Sequence, residues 1–253
     1  MNYLHMALAA TLGTWAMTAL GAAVVLPVRR PSPRLTGPLL AFAAGVMTAA
    51  SFFSLLLPAI DMARAADGLP AWMVAVLGLL LGAGLIWLAD QLLARAPGGG
   101  DARRLRLLLL SITLHNIPEG LAVGVAFGAL AGGPPASMAG AVSLALGIGL
   151  QNLPEGAAVA LPLRQSGLSR HRSFFLGQLS GLVEPLAGVL GALMVARMTA
   201  VLPYALAFAA GAMLWVAADE LIPESRRVTP PHLAAAAFML GFAAMMALDV
   251  GLG

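Results

Sequence analysis

The sequence predicts an all-α integral membrane protein of eight transmembrane helices, and three observations carry that reading. Hydrophobic residues make up 60% of the chain and charged residues 10%, where a water-soluble domain carries about 25% charged residues. Apolar runs recur from end to end, each close to the roughly 20 residues that cross a bilayer as a helix. A polar hexapeptide, HNIPEG at 115–120, returns as QNLPEG at 151–156, inside two of those runs.

Turn chemistry between the runs separates the spans. Span 1 covers 4–26, and the residues before it lack the basic stretch of a signal peptide, so it reads as a retained helix. RRPSPR at 29–34 ends it, and span 2 follows at 37–60. DGLP at 67–70 leads into span 3 at 70–94, and APGGGDARR at 96–104 leads to span 4 at 106–130. GGPPAS at 132–137 is a short uncharged link to span 5 at 137–163. Span 6 covers 173–196 and span 7 covers 201–222, after which VTPPH at 228–232 opens span 8 at 232–251. No stretch is long enough for a separate soluble domain, so residues 1–253 read as one polytopic unit.

Arginine sets the orientation. Of the 14 basic residues, 12 fall in the loops after spans 1, 3, 5 and 7, leaving Arg64 and Arg197 on the opposite side. By the positive-inside rule those loops are cytoplasmic. Both termini then lie on the extracytoplasmic side of a cell (inner) membrane. The net charge of +3 is thus a topology signal, and no nucleic-acid partner is expected. The absence of cysteine excludes disulfides, thiolate zinc sites and thiol chemistry.

The two hexapeptides lie on consecutive, antiparallel spans, and each begins near the middle of its span, so both meet near the bilayer midplane. Related motifs on oppositely directed helices suggest inverted-repeat pseudo-symmetry, a transporter architecture whose site sits at the repeat interface. Within HNIPEG, His115 and Glu119 are four residues apart and Asn116 and Glu119 three, so all share one helical face. Gln151, Asn152 and Glu155 repeat the arrangement. Pro118 and Pro154 have no amide hydrogen and free the carbonyls of Leu114 and Leu150.

A carboxylate in the membrane interior costs several kcal/mol, and such residues mark ion or substrate pathways. Glu119, Glu155 and Glu184 lie at that depth with no arginine beside them in the sequence. A divalent cation would neutralise them, and one imidazole with carboxylates and amide oxygens suits zinc, cadmium, iron or manganese. Met47, also near mid-span, offers a soft sulfur. Each residue has a plainer role open to it. The carboxyls can hydrogen-bond between helices, Asn116, Gln151 and Asn152 can pin helices together, and Met47 can simply pack. Ser51 and Ser54 are expected to hydrogen-bond within span 2. Asp61, Asp219, Glu220 and Glu224 end spans, either as solvated helix ends or as entry and exit positions. Asp67, Asp90, Asp101 and Asp249 read as interfacial charges.

These motifs resemble the ZIP family (Zrt-, Irt-like proteins) of divalent metal transporters, in particular its short bacterial members. HNIPEG and QNLPEG match its two signature motifs, GLVEP on span 6 a third, and AAGVM and DELIPES also fit. The resemblance implies a binuclear metal centre. His115, Gln151, Glu119, Glu155 and Met47 correspond to the primary site. Asn116, Asn152 and Glu184 correspond to a second site, with Glu119 and Glu155 bridging. Asp219 and Glu220 correspond to a cytoplasmic exit and Asp61 to an outer entrance. It further implies a homodimer, in which spans 1, 4, 5 and 6 move against spans 2, 3, 7 and 8. Two departures stand out: position 152 is Asp in some bacterial relatives, and the PGGGDARR loop lacks the histidine cluster that many relatives carry there.

The expected function is transport of Zn²⁺ as substrate (Cd²⁺, Fe²⁺ or Mn²⁺ being the alternatives) into the cytoplasm by alternating access, with no organic cofactor. A proton or cation channel using the same carboxylates is the rival reading. An intramembrane metalloenzyme is disfavoured because HExxH is absent, and no enzymatic activity is expected.

Overall fold

Lipid offers a backbone N–H or C=O no partner, so apolar runs within a bilayer satisfy their peptide groups by forming helices. The computed structural model describes residues 2–27, 33–66, 68–94, 100–132, 137–197 and 199–252, and among them every regular element is helical. The order is α1 (Tyr3–Ala23), α2 (Pro33–Ala50), α3 (Leu57–Ala65), α4 (Ala71–Ala94), α5 (Gly100–Ala129) and α6 (Met138–Gln165). It continues with α7 (Arg170–Ser180), α8 (Val183–Arg197), α9 (Leu202–Val216), α10 (Ile222–Val228) and α11 (Pro231–Leu252).

Seven helical stretches among the described residues are long and apolar enough to cross a membrane: Tyr3–Ala23, Gly37–Ala65, Ala71–Leu92, Met138–Leu161, Arg170–Val195, Leu202–Val228 and Pro231–Gly251. The eighth expected span, 106–130, falls on the 30-residue helix α5, where side chains 101–112 lie outside the described residues.

Two spans are longer than expected, for one reason. A π-turn, Ser51–Leu56, fuses α2 to α3, and a second, Ala217–Leu221, fuses α9 to α10. In each case a proline follows two residues later, Pro58 or Pro223, at the start of the next helix. A proline removes one amide donor, and the wider π-turn accommodates the resulting shift without ending the helix. Span 6, by contrast, is two helices. α7 stops at Ser180, and Gly181–Leu182 form a turn before α8. Pro185 sits in the first turn of α8, where its missing N–H costs nothing. This break puts Glu184 at a helix N-terminus, where backbone N–H groups favour a carboxylate.

Four helix pairs dominate the packing: α1 with α6, α5 with α8, α2 with α11, and α4 with α9. Glycine makes each of them close. A Cβ at Gly21 of α1 would collide with the Leu153 carbonyl of α6, and one at Gly156 of α6 with the Thr18 carbonyl of α1. The same reciprocal contact joins Gly45 and Gly241 of α2 and α11, and Gly82 and Gly211 of α4 and α9. Gly120 and Gly124 of α5 rest against Glu184 and Gly188 of α8. Without a hydrophobic drive between helices in lipid, such backbone approach is a main source of adhesion. Gly124→Val is therefore expected to lower stability in micelles by about 1–3 kcal/mol. Gly13→Ala, on a face with nothing within 4 Å, should leave the melting temperature unchanged.

Candidate metal centre

The α1–α6 and α5–α8 pairs bring the two hexapeptides and Glu184 together. Asn116, Glu119, Gln151, Asn152 and Glu184 are buried to 1% exposure or less, and Glu155 to 6%. Their partners differ from those that sequence spacing suggests. Gln151 does not serve Glu155 on its own helix; its Nε2 donates across to Glu119 Oε1 on α5. Asn152 Nδ2 donates to both oxygens of Glu184 on α8, at 3.0 Å each, and to the Thr14 carbonyl of α1 at 3.1 Å. Glu184 also accepts from the hydroxyls of Thr14 at 2.5 Å and Thr18 at 3.4 Å.

Hydrogen-bond chemistry then orients both amides. Gln151 and Asn152 each present nitrogen to a carboxyl and turn the amide oxygen the other way. Those oxygens meet no donor. Among the described residues, Asn116 Oδ1, Glu119 Oε2, Gln151 Oε1, Asn152 Oδ1 and Glu155 Oε1 are buried acceptors without a hydrogen-bond partner, as is the Asn116 amide nitrogen. Buried polar groups are almost always paired. Five such unpaired oxygens lie on the two adjacent helices α5 and α6. Gln151 and Asn152 thus pin helices with nitrogen and leave their oxygens without a partner.

The remaining expected residues divide. His115 lies on α5, but its side chain falls outside the described residues. Among the described residues, which exclude the His115 side chain, no three His, Asp or Glu side chains gather closely enough to hold a metal ion by themselves. Met47 is 1% exposed within the main apolar core on α2, which packs against α6. Asp61 is exposed and ion-paired with Arg64 at 3.2 Å. Asp219 is exposed and Glu220 half-buried, both in the second π-turn.

Four polar residues carry more than their sequence positions reveal. Thr14 and Thr18 were hidden in an apolar span, although their spacing on one face of α1 was visible. Ser51 bonds within its helix as expected, donating to the Met47 carbonyl at 2.8 Å. Ser54 does not; its hydroxyl donates to Asp249 Oδ1 on α11 at 2.8 Å, and Ser143 of α6 donates to the same atom at 3.4 Å. Asp249, which reads as an interfacial charge, is half-buried and lines a cavity of about 340 Å³ with Ser54, Pro58, Met62, Ser137 and Leu206.

A family model described as "ZIP Zinc transporter" matches residues 101–249, a stretch that holds both hexapeptides and Glu184. The chain belongs to the ZIP family. Its ZIP relatives are similar over nearly its full length. Zinc transporter ZIP11 of Homo sapiens is 41% identical over 98% of this chain and 97% of that protein. Zinc transporter GufA of Myxococcus xanthus is 40% identical over 97% of this chain and 98% of its own. Zinc transporter ZIPB of Bordetella bronchiseptica is 38% identical over 94% and 79%, respectively. The chain is accordingly a multi-span membrane protein of a metal-transporter family. In the metal-free protein, Gln151→Leu strands a buried Glu119 oxygen, and denaturant unfolding in micelles should show a loss of about 1–3 kcal/mol.

Proposed function

We propose that this ZIP protein carries Zn²⁺ as substrate across the membrane through a centre between α5, α6 and α8. The observation that carries the reading is the cluster of orphan acceptors at the hexapeptides. Every described arginine side chain lies near a helix end or in a loop, at Arg64, Arg164, Arg170, Arg172, Arg226 and Arg227. A mobile cation is then the natural partner for buried oxygens and carboxylates. The names of the relatives support zinc. Cd²⁺, Fe²⁺ and Mn²⁺ suit parts of the same donor set.

In this reading Glu119, Glu155 and Gln151, with His115 and Met47, form the primary position. Asn116, Asn152 and Glu184 bound a second, with Glu119 and Glu155 shared. α5 supplies the eighth span, giving eight helices with both termini outside and import toward the arginine-rich face. Inverted-repeat symmetry is supported by the pairing of helices: exchanging α1 with α8, α2 with α9, α4 with α11 and α5 with α6 maps each of the four pairs onto another. The two π-turns, each four residues beyond a buried methionine, Met47 or Met213, obey the same exchange. Alternating access would move α1, α5, α6, α7 and α8 as a unit against the rest, within a homodimer. Asp61 serves entry and Asp219 and Glu220 serve exit, and the Asp249 cavity opens toward the Asp61 end. The chemistry needed is ligand exchange, with no enzymatic step and no organic cofactor.

Uptake of radioactive Zn²⁺ and Cd²⁺ into proteoliposomes tests the proposal. Glu119→Ala and Glu155→Ala should each abolish saturable uptake, while Glu184→Ala, touching only the second position, should leave a measurable rate. Near-wild-type transport in all three would refute the centre. Ligands must be deprotonated to bind metal, so binding should weaken as pH falls from about 7.5 to 5.5. A flat profile over that range would remove proton competition from the mechanism.

A further inference from the structure

Glu184 differs from the other two mid-membrane carboxylates. Glu119 and Glu155 each keep a buried oxygen without a donor among the described residues, whereas both oxygens of Glu184 are taken. Oε2 accepts from the Thr14 hydroxyl at 2.5 Å and from Asn152 Nδ2 at 3.0 Å. Oε1 accepts from the same amide at 3.0 Å and from Thr18 at 3.4 Å. Three helices meet in this cage: α1 and α6 donate, and α8 accepts.

The cage is built into the packing. Thr11, Thr14 and Thr18 are 0%, 2% and 2% exposed and fall on one face of α1 by their spacing. Glycines on the other side let them close in. A Cβ at Gly181 would lie 3.0 Å from Thr18 Oγ1 and 3.1 Å from Glu184 Oε1, and one at Gly188 would lie 2.5 Å from Thr11 Cγ2. The amide at position 152 is equally required, because an aspartate there has no N–H to give and would repel Glu184. Hydrogen bonds to a carboxylate are among the strong ones, so Glu184 ligates a metal only by giving some of them up.

Resting on the metal-transport reading above, we propose that Thr14 and Thr18 make Glu184 a positioning residue rather than a standing metal ligand. The second metal position then fills only when this cage opens. While it is closed, Glu184 and the Thr14 carbonyl hold the Asn152 nitrogen, and the Asn152 oxygen has no donor. Thr14 touches no metal; it acts through Glu184 and Asn152, and it decides whether the centre carries one ion or two.

Titration calorimetry with Zn²⁺ on the full-length chain in lipid nanodiscs tests this. Wild type should bind one ion tightly and a second at least about tenfold more weakly. Thr14→Val keeps the side-chain shape and removes the donor. It should tighten the second ion about tenfold and slow saturated uptake in proteoliposomes, with KM for the first ion unchanged. Thr14→Ser restores the hydroxyl and should restore wild-type stoichiometry, which a general packing role for Thr14 would not demand. Thr18→Val removes the other hydroxyl donor to Glu184 and should act in the same direction by a smaller amount, also if Thr14→Val proves poorly folded. Equal second-ion affinity in wild type, Thr14→Val and Thr18→Val overturns the proposal, as does a Thr14→Ser protein that behaves like Thr14→Val. Failure of the transport reading looks different: wild-type binding that survives Glu119→Ala, with no uptake.

Discussion

A polar side chain at the middle of a bilayer has no water to turn to, and the centre of this protein is organised around that constraint. Two of the buried amides therefore give their nitrogens to carboxyls on other helices. Gln151 and Asn152 are oriented this way, one by Glu119 and the other by Glu184. Once their nitrogens are committed, their oxygens are left buried without donors. The surplus of acceptors is a consequence of the carboxylate-first pairing and not of a dedicated set of histidines.

Helix spacing makes that pairing possible. Glycine at the crossing points brings α1 against α6 and α5 against α8 at backbone contact, near enough for short side chains such as Thr14 to reach Glu184. The α2–α11 and α4–α9 pairs use the same device and form a second body around it. The two bodies meet largely through one apolar cluster, to which Met47 of α2, Leu144 and Ile148 of α6 and Met245 of α11 belong, with a polar contact at Ser143 and Asp249.

The departures from sequence expectation are local and share a cause. Span 6 reads as one helix because apolar composition is continuous across Gly181, yet the turn there and Pro185 divide it. Spans 2 and 7 read as ending near Pro58 and Pro223, yet π-turns carry the helices through. Hydropathy reports residence in the bilayer and says little about hydrogen-bond register. Asp249 reads as an interfacial charge, and the α1 threonines as ordinary span residues, for a related reason. A carboxylate near a chain end and hydroxyls in an apolar helix look ordinary until a neighbour supplies their partner.

By itself the sequence determined the membrane class, the helical content, the approximate spans and the presence of polar residues inside apolar helices. Those follow from composition, from the length a bilayer demands, and from the expense of burying charge, none of which depends on neighbours. Only the tertiary structure decided who pairs with whom: Gln151 with Glu119 across two helices, and Glu184 with Asn152 and two threonines across three. Side-chain partnership across helices depends on crossing points and backbone separation. Those are set by glycines facing carbonyls on other segments, a relation that no linear spacing within one segment encodes.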